Sequence, residues 1–139
     1  MSDDLVQEVA LKNAVANEEM LARYILYSRW VREDQTVRPE AFIPHPYPDL
    51  SVTRHTGISE ERLWQIGQEV AQDVGRTLYG RADLTTQTVR SAELDPISAP
   101  TAENANHVNI VGWPANKAEQ KSRAQKLAAD SHYVPLAQA

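Results

Sequence analysis

Apolar positions at the start of the chain fall at Leu5, Val6, Val9 and Ala10, the spacing of one helical face, with Asp3 and Asp4 ahead of them. Acidic side chains there favour the positive end of a helix, so the pattern predicts a short amphipathic helix over Asp4 to Ala16, stopped at Asn17. "ARYILYSRWVRED" is different: aromatic and β-branched residues crowd it, and Tyr24, Leu26 and Trp30 alternate with Ile25, Tyr27 and Val31. That predicts a strand covered on both faces, with a helix over Glu18 to Ser28 as the competing reading. "VRPEAFIP" is a second extended stretch, placed to make a hairpin with the first across the polar "REDQT" turn. Pro46 and Pro48 then exclude a helix. "LSVTRH" predicts a third strand, with Leu50, Val52 and Arg54 on one face and Ser51, Thr53 and His55 on the other.

Downstream, Leu63, Ile66, Val70 and Val74 recur at helical spacing between an N-cap at Ser59 and a stop at Gly75, which predicts a helix over 59–74. The threonine-rich stretch that follows predicts strands over Thr77 to Arg81 and Leu84 to Arg90, with a bulge at Gly80. "LDPISAPTAENAN" predicts a surface loop of about a dozen residues, a length uncommon inside a compact domain and often functional. "HVNIVGW" is a further strand, and Asn116 with Glu119 three residues later is a capping-box pattern opening a helix to about Asp130. Its face of Ala118, Ala124, Leu127 and Ala128 is narrow enough for close packing on a sheet. Residues 1–20 thus form an N-terminal helical segment, 21–130 an α+β domain and 131–139 a tail expected to fray. The expected architecture is a single domain with a mostly antiparallel sheet of five to six strands. A central and a C-terminal helix pack on it, both on one face, and an N-terminal helix precedes it.

The length of 139 residues suits one domain able to bury roughly 68–70% of its unfolded surface, so no metal or disulfide is needed as a staple. Absence of cysteine excludes thiol catalysis, cysteine zinc sites and iron–sulfur ligation. The N-terminus builds no apolar core of a signal peptide and no run reaches the roughly 20 apolar residues of a membrane span, so a cytoplasmic protein without a membrane partner is expected. A net charge of −5 argues against a nucleic-acid partner. All ten arginines lie between Arg23 and Arg123, nine of them by Arg90, while the four lysines sit outside that middle stretch. Arginine's planar fork suits carboxylate or phosphate, so the middle could frame an anionic site; equally, those arginines could pair with nearby Asp and Glu.

Nucleotide-binding glycine loops, the nucleophile elbow and the zincin motif are all missing. The histidines, His45, His55, His107 and His132, show no ligand spacing, and neither a metal nor another cofactor is expected. In "NANHVNIVGW", His107 with Asn106 and Asn109 is the leading candidate site: an acid, base or ligand contact, or simply side chains that hydrogen-bond a strand entrance. Arg54, on the side of Leu50 and Val52, needs an anionic partner or must snorkel at the strand end. Ser51 lies roughly 13 Å along the strand from His55, too far for a nucleophile–base pair. Arg81 alternates with Tyr79 and Asp83 on one strand face, as a ligand contact or a solvated row.

The order of "ARYILYSRWVRED", "AFIPHPYPDLSVTRHTGISEERLW", "TLYGRADL" and "NHVNIVGWP" resembles a group of small bacterial proteins labelled hypothetical, with LSVTR and NHxNIxGWP-like segments, over about residues 21 to 130. The resemblance implies a bacterial cytosolic setting and a free-standing domain, and carries no activity, cofactor or catalytic residue. A binding or adaptor domain acting on a partner protein is the leading functional expectation. The alternatives are a small transferase or nuclease, working on a nucleotide or nucleic-acid end with Arg54 and His107 as catalytic groups, and a structural subunit of a homo-oligomer.

Overall fold

The strand at the middle of the sheet is the one whose sequence is apolar on both sides. In the computed structural model, which describes residues 14–44 and 46–136, β1 (Met20–Ile25) buries Leu21 and Ile25 on one face and Ala22 and Tyr24 on the other. The helix over Glu18 to Ser28 is not formed. The strand is shorter than its pattern predicted, because the N–H groups of Trp30 and Val31 turn back onto Tyr27 and Ser28 in a 3-10 turn over Ser28–Trp30. Of the predicted hairpin, a single bridge between Val31 and Val37 remains. Pro39 then opens a second 3-10 turn, Pro39–Phe42, where its fixed φ suits the first helical position.

Joining β1 are β2 (Leu50–Arg54), β3 (Gly80–Thr85), β4 (Asp95–Ser98), β5 (His107–Val111) and β6 (His132–Pro135). Among the described residues they form one antiparallel sheet of six strands in the order β4-β5-β2-β1-β3-β6. Among the described residues three α-helices accompany it: α1 (Glu60–Asp73), α2 (Thr86–Ser91) and α3 (Lys117–Ala129). The fold is α+β, with central and C-terminal helices on a mostly antiparallel sheet, as the apolar pattern predicted.

Both long helices start and stop for readable reasons. Ser59 Oγ accepts the Arg62 N–H at 3.0 Å, and Asn116 Oδ1 accepts the Glu119 N–H at 3.1 Å. At the end of α1, Gly75 turns left-handed at φ +67°, its N–H reaching the Gln72 carbonyl and the Arg76 N–H the Ala71 carbonyl. This Schellman turn satisfies carbonyls that would otherwise lack partners, and it fixes where Arg76 leaves the helix.

The helices take opposite faces of the sheet, not the same one. Leu63, Ile66 and Ala71 of α1 pack with Ala22 and Tyr24, whereas Ala124, Leu127 and Ala128 of α3 pack with Leu21, Ile25 and Phe42. A strand apolar on both sides must be covered on both, a demand the helices' own stripes do not express. Contact on the α1 side is close because of Gly67. A Cβ there would lie 2.7 Å from a Tyr24 ring carbon, and the Tyr24 hydroxyl donates to the Leu63 carbonyl at 2.5 Å.

Other expectations need correction. Thr86–Ser91 is helix α2, not strand, because Thr85 Oγ1 caps it by accepting the Thr88 N–H at 3.3 Å. The predicted loop over 94–106 contains β4, so the irregular part begins at Ala99. Residues His132–Pro135 do not fray but pair with β3 as β6. Gly80 sits in regular register with Ile25 and Pro135; it marks a close approach rather than a bulge, since a Cβ there would lie 2.5 Å from the Val134 carbonyl oxygen. The N-terminal helix falls on residues outside those described, except Ala14 to Ala16, which are irregular.

Candidate functional site

The asparagine-rich stretch works as a strand entrance. Asn106 Nδ2 donates to the Arg54 and Thr56 carbonyls at 2.8 and 2.7 Å, tying β5 to the end of β2. Asn104, 8% exposed, donates through Nδ2 to Thr53 Oγ1 at 3.0 Å while its Oδ1 accepts the Asn106 N–H. The His107 ring bonds through Nδ1 to the Ala99 carbonyl at 3.0 Å, and because a carbonyl only accepts, that nitrogen carries the proton. Each of these groups is used inside the chain.

Arg54 and His107 do not share a site. Arg54 pairs with Leu21 in the sheet and Thr53 with His107, so the two side chains leave opposite faces. Arg54 instead has its anion in the chain: Glu19 accepts from Nε and Nη2, both at 2.8 Å, with the two side chains only 13% and 10% exposed. Burial alone would raise the Glu19 carboxyl, but hydrogen bonds from Arg54 and the Ala16 N–H outweigh it and hold the carboxyl below its ordinary value.

Arg81 also is occupied. It lies under α1 with Nε on Asp83 Oδ1 and Oδ2 at 3.0 and 3.2 Å and Nη1 paired with Glu60 Oε1 at 2.5 Å. Its guanidinium carbon sits 4.6 Å from the Trp64 ring centre. Burial alone would lower Arg81, but Glu60 and Asp83 more than offset it and raise it above its ordinary value. The same Asp83 Oδ1 accepts from His55 Nε2 at 3.0 Å. Sequence reading missed this His55–Asp83–Arg81–Glu60 chain, although the shared face of Arg81 and Asp83 was its signal. The chain seals α1 onto the sheet.

Ser51 and Asn109 face each other across β2 and β5, and both line a cleft of about 870 Å³. This volume is within the roughly 300–1,000 Å³ usual for ligand sites. The cleft lies between the end of β1, the stretch from Pro46 to Asp49 and the end of α1. Tyr27 and Trp30 stand in it with ring centres 4.7 Å apart. Three guanidiniums converge on them. Arg29 and Arg76 lie 4.7 and 4.1 Å from the Tyr27 ring centre, and Arg23 lies 5.5 Å from that of Trp30. The attraction of each cation to a ring face helps hold the cluster together.

Their charges are poorly matched by the chain. Among the described residues Arg29 meets Glu40 at 3.5 Å, both side chains more than half exposed, and Arg23 and Arg76 have no carboxylate partner. Arg23 uses Nε on the Ala41 carbonyl at 2.7 Å and Nη1 on the Ser51 carbonyl at 3.1 Å. Burial pushes its guanidinium down to about 10, so it is charged at neutral pH. Tyr47 is 73% exposed and Val74 60% exposed on the rim. No sequence motif announces this cleft; its only local signal is the interleaving of Arg23, Tyr27, Arg29 and Trp30.

Among the described residues no three His, Asp or Glu side chains converge as metal ligands, and no helix is long and apolar enough to cross a membrane. Compared with family models, curated proteins and solved structures, the chain gave no match.

Proposed function

We propose that this protein is a binding domain which docks a partner protein, in the bacterial cytosol, through the cleft formed by Arg23, Tyr27, Trp30 and Arg76. The observation that carries the reading is the exposure of Tyr47 and Val74 on the rim of a recess already furnished with a tyrosine, a tryptophan and three arginines. Tyr, Trp and Arg are the residue types that dominate binding energy at protein interfaces. Large apolar side chains left in water beside them gain most from being covered. A nuclease or transferase using Arg54 and His107 together finds no common site on opposite sheet faces.

The test starts from a partner that co-purifies in stoichiometric amount and is then bound again from pure components. Tyr47→Ala combined with Val74→Ser weakens that complex at least ten-fold while leaving the unfolding midpoint in place. Unchanged affinity overturns the reading. A homo-oligomer is the second reading, supported by Ile97, 45% exposed on edge strand β4. A light-scattering mass of a single chain across the micromolar range counts against it.

A further inference from the structure

We infer that the segment received by the cleft is acidic: a short stretch of the partner protein with carboxylates flanking an aromatic or apolar side chain. The inference rests on the docking reading above and adds the chemistry of the occupant. Elsewhere the chain gives its enclosed arginines carboxylates, Glu19 for Arg54 and Asp83 with Glu60 for Arg81. Among the described residues the three guanidiniums of the cleft meet one loose carboxylate partner, Glu40 at 3.5 Å from Arg29. Asp49 also lines the recess and makes no ion pair among the described residues, so cations outnumber carboxylates there in a chain whose net charge is −5.

Two of those cations are drawn onto one ring. Arg29 and Arg76 both lie within 5 Å of the Tyr27 centroid, an arrangement in which like charges repel and an incoming anion relieves both. Guanidinium forks match carboxylates with paired hydrogen bonds, and aromatic contact does not consume their in-plane donors. The exposed rim of Tyr47 and Val74 favours a peptide over a small free anion, because an anion alone would leave that apolar surface uncovered. A side chain lying between two carboxylates would cover it.

The experiment is an amide and indole NMR titration of the whole chain with the blocked pentapeptides EEYEE, QQYQQ and KKYKK and, separately, inorganic phosphate. EEYEE is expected to shift the Trp30 indole and the Tyr27 amide. Its affinity should fall at least ten-fold in Arg29→Gln with Arg76→Gln, stay unchanged in Lys121→Gln on the opposite helix, and weaken with added salt. QQYQQ should bind at least ten-fold more weakly, and KKYKK should leave those signals in place. Equal binding of QQYQQ overturns the acidic segment but leaves the docking reading standing. Phosphate that saturates the same signals and displaces EEYEE overturns both, since the site then belongs to a small anion. Silence from every probe overturns the acidic segment, and the partner's response to Tyr47→Ala with Val74→Ser then decides the docking reading separately.

Discussion

Arg81 and Arg76 are both arginines beside an aromatic ring, and they stand at the two ends of one helix. Arg81 is 5% exposed under the start of α1, matched by Asp83 and Glu60 and covered by Trp64. Arg76 is exposed just past the end of α1, over Tyr27, with no carboxylate partner among the described residues. The contrast separates cations that hold the fold from cations left for something else. An enclosed charge must be answered within the chain or the fold loses several kcal/mol, whereas an exposed one is tolerated without an answer. The same division places Arg54 with Arg81, and Arg29 with Arg76.

If the enclosed network is structural, Asp83→Ala has the largest effect. It strips Arg81 of its buried carboxylate partner and should cost about 3 kcal/mol or more, read as a lower urea midpoint. Next is Gly67→Ala. Alanine favours a helix over glycine by about 1 kcal/mol, but here its methyl meets the Tyr24 ring, so a net loss of roughly 1–2 kcal/mol is expected. A gain in stability would mean that α1 does not press on Tyr24. At the β5 entrance, Asn106→Ala deletes two bonds to backbone carbonyls and should cost about 1–2 kcal/mol, while His107→Ala deletes one and costs less. No loss of stability in His107→Ala would return His107 to the list of site residues.

Glu19→Gln probes the second internal pair through pH. Because the Glu19 carboxyl is held below its ordinary value, its contribution is present above the unfolded value of about 4.3 and is lost as pH falls through the lower folded value. The stability gap between wild type and Glu19→Gln should be on the order of 1–2 kcal/mol at pH 7 and close as the pH drops below about 4. A gap that widens on acidification contradicts the pairing with Arg54.

Sequence pattern carried those parts of the molecule whose physics is local. Ser59, Gly75 and Asn116 bound their helices by hydrogen bonds within a few residues, and the alternation in "LSVTRH" gave the faces of β2 correctly. Thr85 misled because a threonine that caps a helix and a threonine in a strand look alike until the Thr88 N–H is seen on its Oγ1. β6 escaped because four residues ending in proline carry little period, and only its pairing with β3 makes it a strand. The side on which each helix lies was illegible for a related reason: it depends on β1 needing cover on both faces. The strand-entrance role of Asn106 and His107 was among the readings their residue types offered. The cleft was not, since Arg23 and Arg76 are distant in sequence and meet only because the Schellman turn at Gly75 delivers one beside the aromatics that follow the other.

The central claim, that arginines paired with carboxylates inside the chain hold the fold and the exposed Arg29 and Arg76 of the cleft do not, is tested most directly by urea unfolding of Arg29→Gln with Arg76→Gln beside Asp83→Ala. The account predicts that the cleft variant stays within about 0.5 kcal/mol of wild type while Asp83→Ala loses about 3 kcal/mol or more. Equal losses in the two variants would contradict it, because the cleft arginines would then be part of what holds the chain folded.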